Sequence, residues 1–453
     1  MSATIETGSP DQPAPRGSGP TPPPGIALRR LARRVHLLAG LAIAPFLAVL
    51  CLTGLAYAVA PSIDEVGYRD LWYVDTGGAA PRPVSEQVAA ALATRPGAEL
   101  ASVQVPPTGR STVVVLDEPG LADTEARAVY VDPSDNEVLG EITTVGGRSP
   151  MLAWLRELHG NLHLGDVGRL YAEFVAGWLP VVVLGGLLLW IGGRRRRTAR
   201  ALLAPRLAGS PESRLRSIHG ALGLWLSVGL LALSVTGLTW SNYAGARVDD
   251  AIELLGARTP ALAVPPVGVL PGVEPMSLDR ALAVAEGAGL DRPLTVTPPA
   301  AADRQFRVAE TADGLPIRRD AVAINPYTAE LTDHLTWAEY PLLAKLTTLG
   351  IQAHSGTLLG LVNQIVLAAV AVGALVLLVV GCRMWWRNRP VRSAGPGPGD
   401  ARLSPRAVLG VVLVTVLAAW AMPVLGVTLG AFLLLDLIVG RVRKRGTAAG
   451  PAR

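Results

Sequence analysis

The chain has 453 residues, of which 50% are hydrophobic and 17% are charged, and this balance excludes an ordinary soluble enzyme. The formal net charge is +5, but the arginines lie in short clusters beside apolar runs, which argues against nucleic acid as a partner. The two cysteines, Cys51 and Cys382, form no Cys-x-x-Cys motif, so zinc ribbons and covalently attached c-type haem are excluded as well. The composition predicts a membrane protein in contact with a lipid bilayer.

The apolar stretches predict a multi-pass α-helical membrane protein with about six transmembrane helices, because each approaches the roughly 20 residues that cross a bilayer. Before them, residues 1–27 are rich in Pro, Gly, Ser and Thr and are expected to be a disordered cytoplasmic tail. The spans are expected at 33–60, within 151–192, at 217–243 and at 350–386, with a two-helix hairpin at 406–440 that turns near Pro423.

Clusters of basic residues indicate the orientation, since cytoplasmic loops carry an excess of arginine and lysine. They precede the first span and follow the second, fourth and last, at residues 29–34, 194–197, 383–389 and 441–445. We therefore expect a protein of the cytoplasmic membrane with both termini in the cytoplasm. The loops 193–216 and 387–405 and the tail 441–453 would be cytoplasmic, whereas the long segments 61–150 and 244–345 would lie outside.

The first and third spans share a sequence template. Aligning His36 with His219 also aligns Thr53-Gly54-Leu55 with Thr236-Gly237-Leu238, each threonine being 17 residues beyond its histidine. Chance similarity between apolar helices does not readily place histidine, threonine and glycine in one register. The match predicts an internal duplication of the chain.

The two external segments show the same order of predicted elements. In the first, a short amphipathic helix at 85–94 precedes strand-like runs at 100–105, 111–116, 126–131 and 137–142. In the second, a helix at 278–286 precedes runs at 294–297, 305–310 and 321–324. Each segment is expected to form a small extracytoplasmic α/β module.

Histidines near the ends of the spans are candidate functional residues, because ionisable side chains in membrane helices are rare and usually face the bundle interior. His36 and His219 lie near the cytoplasmic start of their helices, and His163 and His354 near the external start of theirs. A low-spin haem takes two imidazoles from opposite sides of its ring. The arrangement predicts two haems b, one between His36 and His219 and one between His163 and His354. His159, four residues before His163, would share its helical face and is the alternative outer ligand.

These motifs resemble those of the PepSY-associated transmembrane family. The resemblance rests on the histidine-led first span, on Leu158–Gly165 before the second, and on Ile218-His219-Gly220 and Ala353-His354-Ser355-Gly356, and it covers roughly residues 28–390. It implies PepSY-like external modules and a relation to iron-regulated proteins and siderophore-linked inner-membrane reductases that hold b-type haem. An acceptor such as ferric iron or a ferric siderophore follows from the resemblance alone.

The sequence contains no G-x-G-x-x-G motif after a strand and no cytoplasmic segment large enough for a flavin or nicotinamide domain. An electron donor would therefore be another molecule, a membrane quinol or a separate protein. We expect a haem-containing electron-transfer protein of ferric reductase type. The alternative is a non-enzymatic sensor or regulator whose external modules bind peptides or a partner protein.

Overall fold

A computed structural model describes residues 24–192, 199–387 and 405–448. The expected tail at 1–27 lies outside these ranges except for its last four residues, which open the first helix. Residues 193–198 and 388–404 of the expected cytoplasmic loops, and 449–453 of the expected C-terminal tail, also lie outside the described residues.

The helices of the described residues are, in chain order, α1 (Pro24–Gly67), α2 (Arg69–Trp72), α3 (Val84–Thr94), α4 (Pro150–Asn161), α5 (Gly165–Gly192), α6 (Ala199–Leu203), α7 (Pro211–Leu238), α8 (Tyr243–Leu254), α9 (Leu278–Gly287), α10 (Leu342–Ser355), α11 (Leu361–Arg387), α12 (Pro405–Ala421) and α13 (Pro423–Ala448). A 3-10 turn at Trp337–Glu339 precedes α10.

Within the described residues, four helices are long and apolar enough to cross a membrane: residues Leu31–Gly67 of α1, and α5, α7 and α11. The membrane character predicted from composition is thus confirmed. The apolar parts of α12 and α13, Val408–Ala421 and Pro423–Phe432, are shorter, so the last two of the six expected spans stay a prediction. These two helices pack against each other, with the break before Pro423, where the proline ring cannot continue a regular helix.

The four long helices form one bundle, in which α1 and α7 each pack against both α5 and α11. Its interior is apolar: Ile43, Val175, Leu230 and Ala374, one from each helix, are at most 8% exposed. The short helix α4 packs against α1, and α10 packs against α7. Each half of the chain therefore contributes two long helices and one short helix to the bundle.

The strands are β1 (Glu99–Val105), β2 (Thr112–Asp117), β3 (Glu125–Val131), β4 (Val138–Val145), β5 (Leu294–Thr297), β6 (Phe306–Glu310), β7 (Ala321–Ile324) and β8 (Leu331–Leu335). They form a single antiparallel sheet in the order β4-β3-β2-β1-β5-β6-β7-β8. The two expected modules therefore share one sheet, joined where Val103 of β1 lies opposite Val296 of β5. Pairing β1 with β5 removes one exposed strand edge from each half, which sequence periodicity alone did not indicate.

Two helices cover one face of this sheet. The side chains of Val88 on α3 and Leu282 on α9 pack on the fully buried Val103, Val114 and Val308. The alternation of apolar and polar residues along each strand sends the apolar set to this face. The sheet and its two helices thus have a core of their own outside the bundle.

Two hydrogen bonds tie the short helices of the bundle to neighbouring elements. Ser149, the N-cap of α4, donates from its hydroxyl to the Asp64 carboxylate on α1. Gln352 on α10 accepts a hydrogen bond from the Gly314 amide, in the loop between β6 and β7, at 2.9 Å. These contacts fix the two helices that carry His159 and His354.

Candidate functional site

The first histidine pair lies near the N-terminal ends of α1 and α7. The ring centres of His36 and His219 are 6.1 Å apart, with an angle of 75° between the ring planes. Both side chains are half-buried within the bundle. The structure thus brings together the two histidines that the repeat aligned.

The His36 ring is held by α5. Its Nδ1 lies 2.8 Å from the backbone carbonyl oxygen of Val182. Because a carbonyl oxygen only accepts, Nδ1 carries the proton, and the neutral imidazole keeps its lone pair on Nε2. The ring can approach because residue 186 is glycine: a Cβ there would lie 2.9 Å from His36 Cε1.

The His219 ring lies against α11 in a similar way. A Cβ at Gly381 would lie 3.3 Å from His219 Cε1, and the Leu377 carbonyl, four residues earlier, lies beside the ring. Val182 likewise precedes Gly186 by four residues. His219 Nδ1 is buried and makes no hydrogen bond of acceptable distance and angle with the described residues. The first pair is therefore held by backbone groups, more firmly at His36 than at His219.

The second pair lies at the other end of the bundle. The ring centres of His159, in the last turn of α4, and His354, in the last turn of α10, are 6.4 Å apart, with an angle of 50° between the planes. Both side chains are half-buried. The partner of His354 is thus His159, the alternative that the sequence had left open.

Threonine hydroxyls hold both rings of this pair. Thr53 Oγ1 lies 3.0 Å from His159 Nδ1, and Thr236 Oγ1 lies 2.7 Å from His354 Nδ1. The adjacent glycine faces the same ring in each case: a Cβ at Gly54 would lie 2.9 Å from His159 Cε1, and one at Gly237 would lie 3.7 Å from His354 Cε1. The Thr-Gly dipeptide of the sequence repeat is therefore a contact surface for an external histidine in both halves.

An aromatic side chain follows each of these threonines by one helical turn. Tyr57 stacks on His159 with ring centres 6.3 Å apart and planes within 4°, and Trp240 packs edge-on against His354 at 5.1 Å. These rings cover part of each imidazole.

The PepSY-associated TM region matches the chain over residues 33–388. The chain belongs to this family. No curated protein matches the chain. The matched range of this PepSY-associated protein contains both histidine pairs, the whole eight-stranded sheet, the long apolar helices α5, α7 and α11 and all but the start of α1.

His163 lies apart from the second pair of this PepSY-associated protein. Leu162 and His163 both have a φ of +55°, which ends α4 at Asn161 and takes His163 off its helical face. The His163 side chain is exposed, with Nδ1 3.8 Å from a Glu157 carboxylate oxygen and its ring centre 5.0 Å from that of Trp154. The structure thus places the ring of His159, and not that of His163, beside the ring of His354.

The sixth histidine of the PepSY-associated chain, His334, lies on the edge strand β8 and pairs in register with Val322. Its Nε2 is buried and without a hydrogen-bond partner among the described residues. No group of three or more His, Cys, Asp or Glu side chains that could hold a bare metal ion occurs in the described part of the chain.

Several side chains that shape these pairs had no role predicted from sequence. Thr53 and Thr236 were visible as a repeat, but their hydrogen bonds to histidine depend on how α4 and α10 dock. Gly186 and Gly381 precede the ends of α5 and α11 by six residues each, a shared spacing that could have marked them. Helix packing brings these four residues, each with a side chain suited to the contact, against the histidine rings.

Proposed function

We propose that this PepSY-associated protein is a di-haem electron-transfer protein, in which His36 with His219 would hold one haem b and His159 with His354 would hold another. The single observation that carries the proposal is the separation of the paired rings. A metal–nitrogen bond is about 2.0 Å and the nitrogen lies about 1.2 Å from the ring centre, so two imidazoles on opposite sides of one iron have centres about 6.4 Å apart. The observed separations are 6.1 and 6.4 Å.

The hydrogen bonds of the rings support the same assignment. A histidine that ligates through Nε2 typically donates its Nδ1 proton to a neighbouring acceptor, which fixes the tautomer and the ring orientation. His36, His159 and His354 each have an oxygen within hydrogen-bond distance of Nδ1. No hydrogen bond from the described residues engages Nε2 of these rings, so that nitrogen is available to a ligand.

The two pairs lie at different depths. Thr53, which contacts the external ligand His159, follows His36 on the same helix by 17 residues, a rise of about 26 Å at about 1.5 Å per residue. The hydrocarbon core of a bilayer is about 30 Å thick. The residues would thus hold one haem near each face of the membrane.

When bound, each haem supplies a one-electron ferric/ferrous couple whose potential is adjusted by its axial ligands, their hydrogen bonds and the surrounding polarity. The chain's part is to hold the imidazoles in fixed orientations with Val182, Thr53 and Thr236, and to cover the external pair with Tyr57 and Trp240. The surrounding helices exclude water from the ring faces that they cover.

We infer that the protein lies in the cytoplasmic membrane with the sheet outside. The basic residues that follow α5 and α11, together with those at the start of α1 and the end of α13, favour the cytoplasm for that end of the bundle. The pair His159 and His354 would then face the outside, where an acceptor could be reduced. The electron donor would be a quinol or a separate protein.

For the acceptor, we propose a ferric chelate of the siderophore type. The external sheet has a cavity of about 530 Å³ between the N-terminal ends of α3 and α9 and the β1–β2 loop, lined in part by Arg82, Arg110 and Arg292. Arg110 donates to the Tyr73 hydroxyl at 2.7 Å, and Tyr73 donates to Glu65 near the external end of α1. The cavity is thereby connected to the helix that carries His36 and Thr53.

The same cavity favours a second candidate function, a haem-independent sensor that binds a peptide or partner protein. Gln87, which lines the cavity and is 1% exposed, has a carbonyl oxygen with no partner among the described residues. Such an oxygen would accept a hydrogen bond from a bound molecule.

The absorption spectrum of the purified full chain, expressed with ample haem, distinguishes the two functions. The reductase proposal expects Soret and α bands of b-type haem and oxidation of the dithionite-reduced protein by a ferric chelate. Protein that lacks a haem spectrum overturns the di-haem proposal and favours the sensor. A haem spectrum without reoxidation by the chelate retains electron transfer and removes the proposed acceptor.

A further inference from the structure

The two histidine pairs differ in the group that binds Nδ1. In the internal pair, His36 Nδ1 contacts the main-chain carbonyl of Val182, which no side-chain substitution removes, and His219 Nδ1 has no hydrogen-bond partner among the described residues. For the external pair, the groups are the side chains of Thr53 and Thr236. A single side-chain substitution can therefore remove the group that contacts Nδ1 of either histidine in the external pair.

The hydrogen bonds of each threonine with its own helix indicate whether its hydroxyl donates to histidine Nδ1 or accepts from it. Thr53 Oγ1 lies 3.0 Å from the carbonyl oxygen of Val49 and 3.1 Å from that of Leu50. Thr236 Oγ1 lies 2.8 Å from the carbonyl oxygen of Ala232 and 3.2 Å from that of Leu233. A hydroxyl has one proton, and a carbonyl oxygen can only accept it. With that proton on the helix backbone, Oγ1 accepts from histidine Nδ1–H.

We propose that Thr53 and Thr236 are positioning residues that hold the external histidines in the Nδ1–H tautomer and lower the reduction potential at that site alone. The proposal rests on the proposed haem function. An acceptor on Nδ1 raises the basicity of Nε2, and a more basic imidazole favours ferric over ferrous iron. Removing the acceptor should therefore raise the potential of the external haem.

The fit of each threonine to its ring favours a specific contact. Both hydroxyls meet Nδ1 at hydrogen-bond distance, and both are followed by a glycine that faces the Cε1 edge of the same ring. The arrangement occurs twice, on different helices, with the same spacing from the internal histidines. At Gly54 the ring lies closer than a Cβ would allow, which a threonine that only satisfied its own helix would not require.

The test is a redox titration of the full chain as wild type, Thr53→Val, Thr236→Val and the double variant, with Thr53→Ser and Thr236→Ser as controls. Valine keeps the branched shape and removes the acceptor, whereas serine keeps the hydroxyl. We expect a positive shift of one of the two midpoint potentials in the valine variants, larger in the double variant, with the other unchanged. Serine should restore the wild-type value.

Transfer of haem to an excess of apomyoglobin provides a second readout. Loss of the hydrogen bond to a metal-binding histidine typically lowers the metal affinity by about 10- to 100-fold. One of the two haems should therefore leave the valine variants faster by about that factor. If one valine variant does not accumulate, the other single valine variant is compared with its own serine control and with the wild type.

Wild-type protein without two haems would refute the proposed function. Wild-type protein with two haems, whose potentials and haem-loss rates do not respond to valine, would refute only the role of the threonines. Equal shifts at both haems would also refute it, because the effect would then be a general disturbance of the bundle.

Discussion

The internal and external histidine pairs are built differently. His36 and His219 lie on the long helices α1 and α7; a main-chain carbonyl of α5 contacts His36 Nδ1, and the His219 ring packs on Gly381 of α11. His159 and His354 lie on short helices, which are fixed by side-chain contacts to α1 and to the sheet. The internal site therefore depends on the bundle itself. The external site depends in addition on the sheet that would meet an acceptor.

The largest effects should come from the ligands. His219→Ala should remove one of two haems per chain, and His354→Ala should remove the other, because a bis-imidazole site loses half of its axial ligands. A pyridine haemochrome assay on purified protein measures the ratio. His163→Ala is the matched control and should retain both haems, since His163 is exposed at the end of α4. Loss of haem from that control, with retention in His354→Ala, would contradict the external pairing.

The glycines of the two Thr-Gly dipeptides differ in the space that an added Cβ would have beside the histidine ring. A Cβ at Gly54 would lie 2.9 Å from His159 Cε1, whereas one at the corresponding Gly237 would lie 3.7 Å from His354. Gly54→Ala should therefore displace its histidine at a cost of about 1–3 kcal/mol, and Gly237→Ala should be tolerated within about 0.5 kcal/mol. Thermal unfolding together with the rate of haem loss measures the difference. Equal behaviour of the two variants would show that the neighbouring helices adjust freely.

A smaller effect is expected where the sheet holds α10. Gln352→Ala removes the acceptor of the Gly314 amide, with an expected cost of about 1 kcal/mol. The external haem should be lost faster, and the internal haem should not respond. Selective loss can be followed by the change in the α band during transfer to apomyoglobin. An equal increase in the loss of both haems would contradict the separate support of the two sites.

The smallest effect is expected within the sheet. Asp279 on α9 accepts hydrogen bonds from the main-chain amides of Val84 and Ser85 on α3, at 2.6 and 3.4 Å. Asp279→Ala should lower the stability of the sheet by roughly 1 kcal/mol, the usual value for a helix cap, with unchanged haem content. Asp279→Asn keeps an acceptor and should lie between the alanine variant and the wild type in a thermal scan. A change in haem content would show that this contact within the sheet also affects the histidine sites in the bundle.

Local sequence patterns predicted most elements of the external sheet. The strands β1 to β7 and the helices α3 and α9 begin and end within one or two residues of the expected runs, except at the C-terminal end of β4. The agreement arises because alternation in strands and periodicity in helices depend on which side chains face a core. The polar strand β8, Leu331–Leu335, was missed, since an edge strand needs little apolar alternation. The pairing of β1 with β5 was missed because contacts between distant segments leave no local signal.

Local sequence patterns were also insufficient to identify which histidines lie together. The repeat identified His36, His219 and His354, but alignment of short motifs favoured His163 over His159. The two differ by how α4 ends: the left-handed conformation of Leu162 and His163 leaves His159, and not His163, in the last helical turn. His354 likewise lies in the last turn of α10, before the left-handed Gly356. Internal duplication of the whole chain stays a prediction, although the contacts of the two halves correspond.

The central claim, that two imidazole pairs hold two haems, is tested most directly by counting haem in the full chain and in the double variant His36→Ala/His159→Ala. Circular dichroism and gel filtration in detergent would verify that both proteins remain folded. The account predicts two haems b per wild-type chain and none in the folded double variant. Haem retained at the wild-type level in that variant, or absent from the wild type, would contradict it.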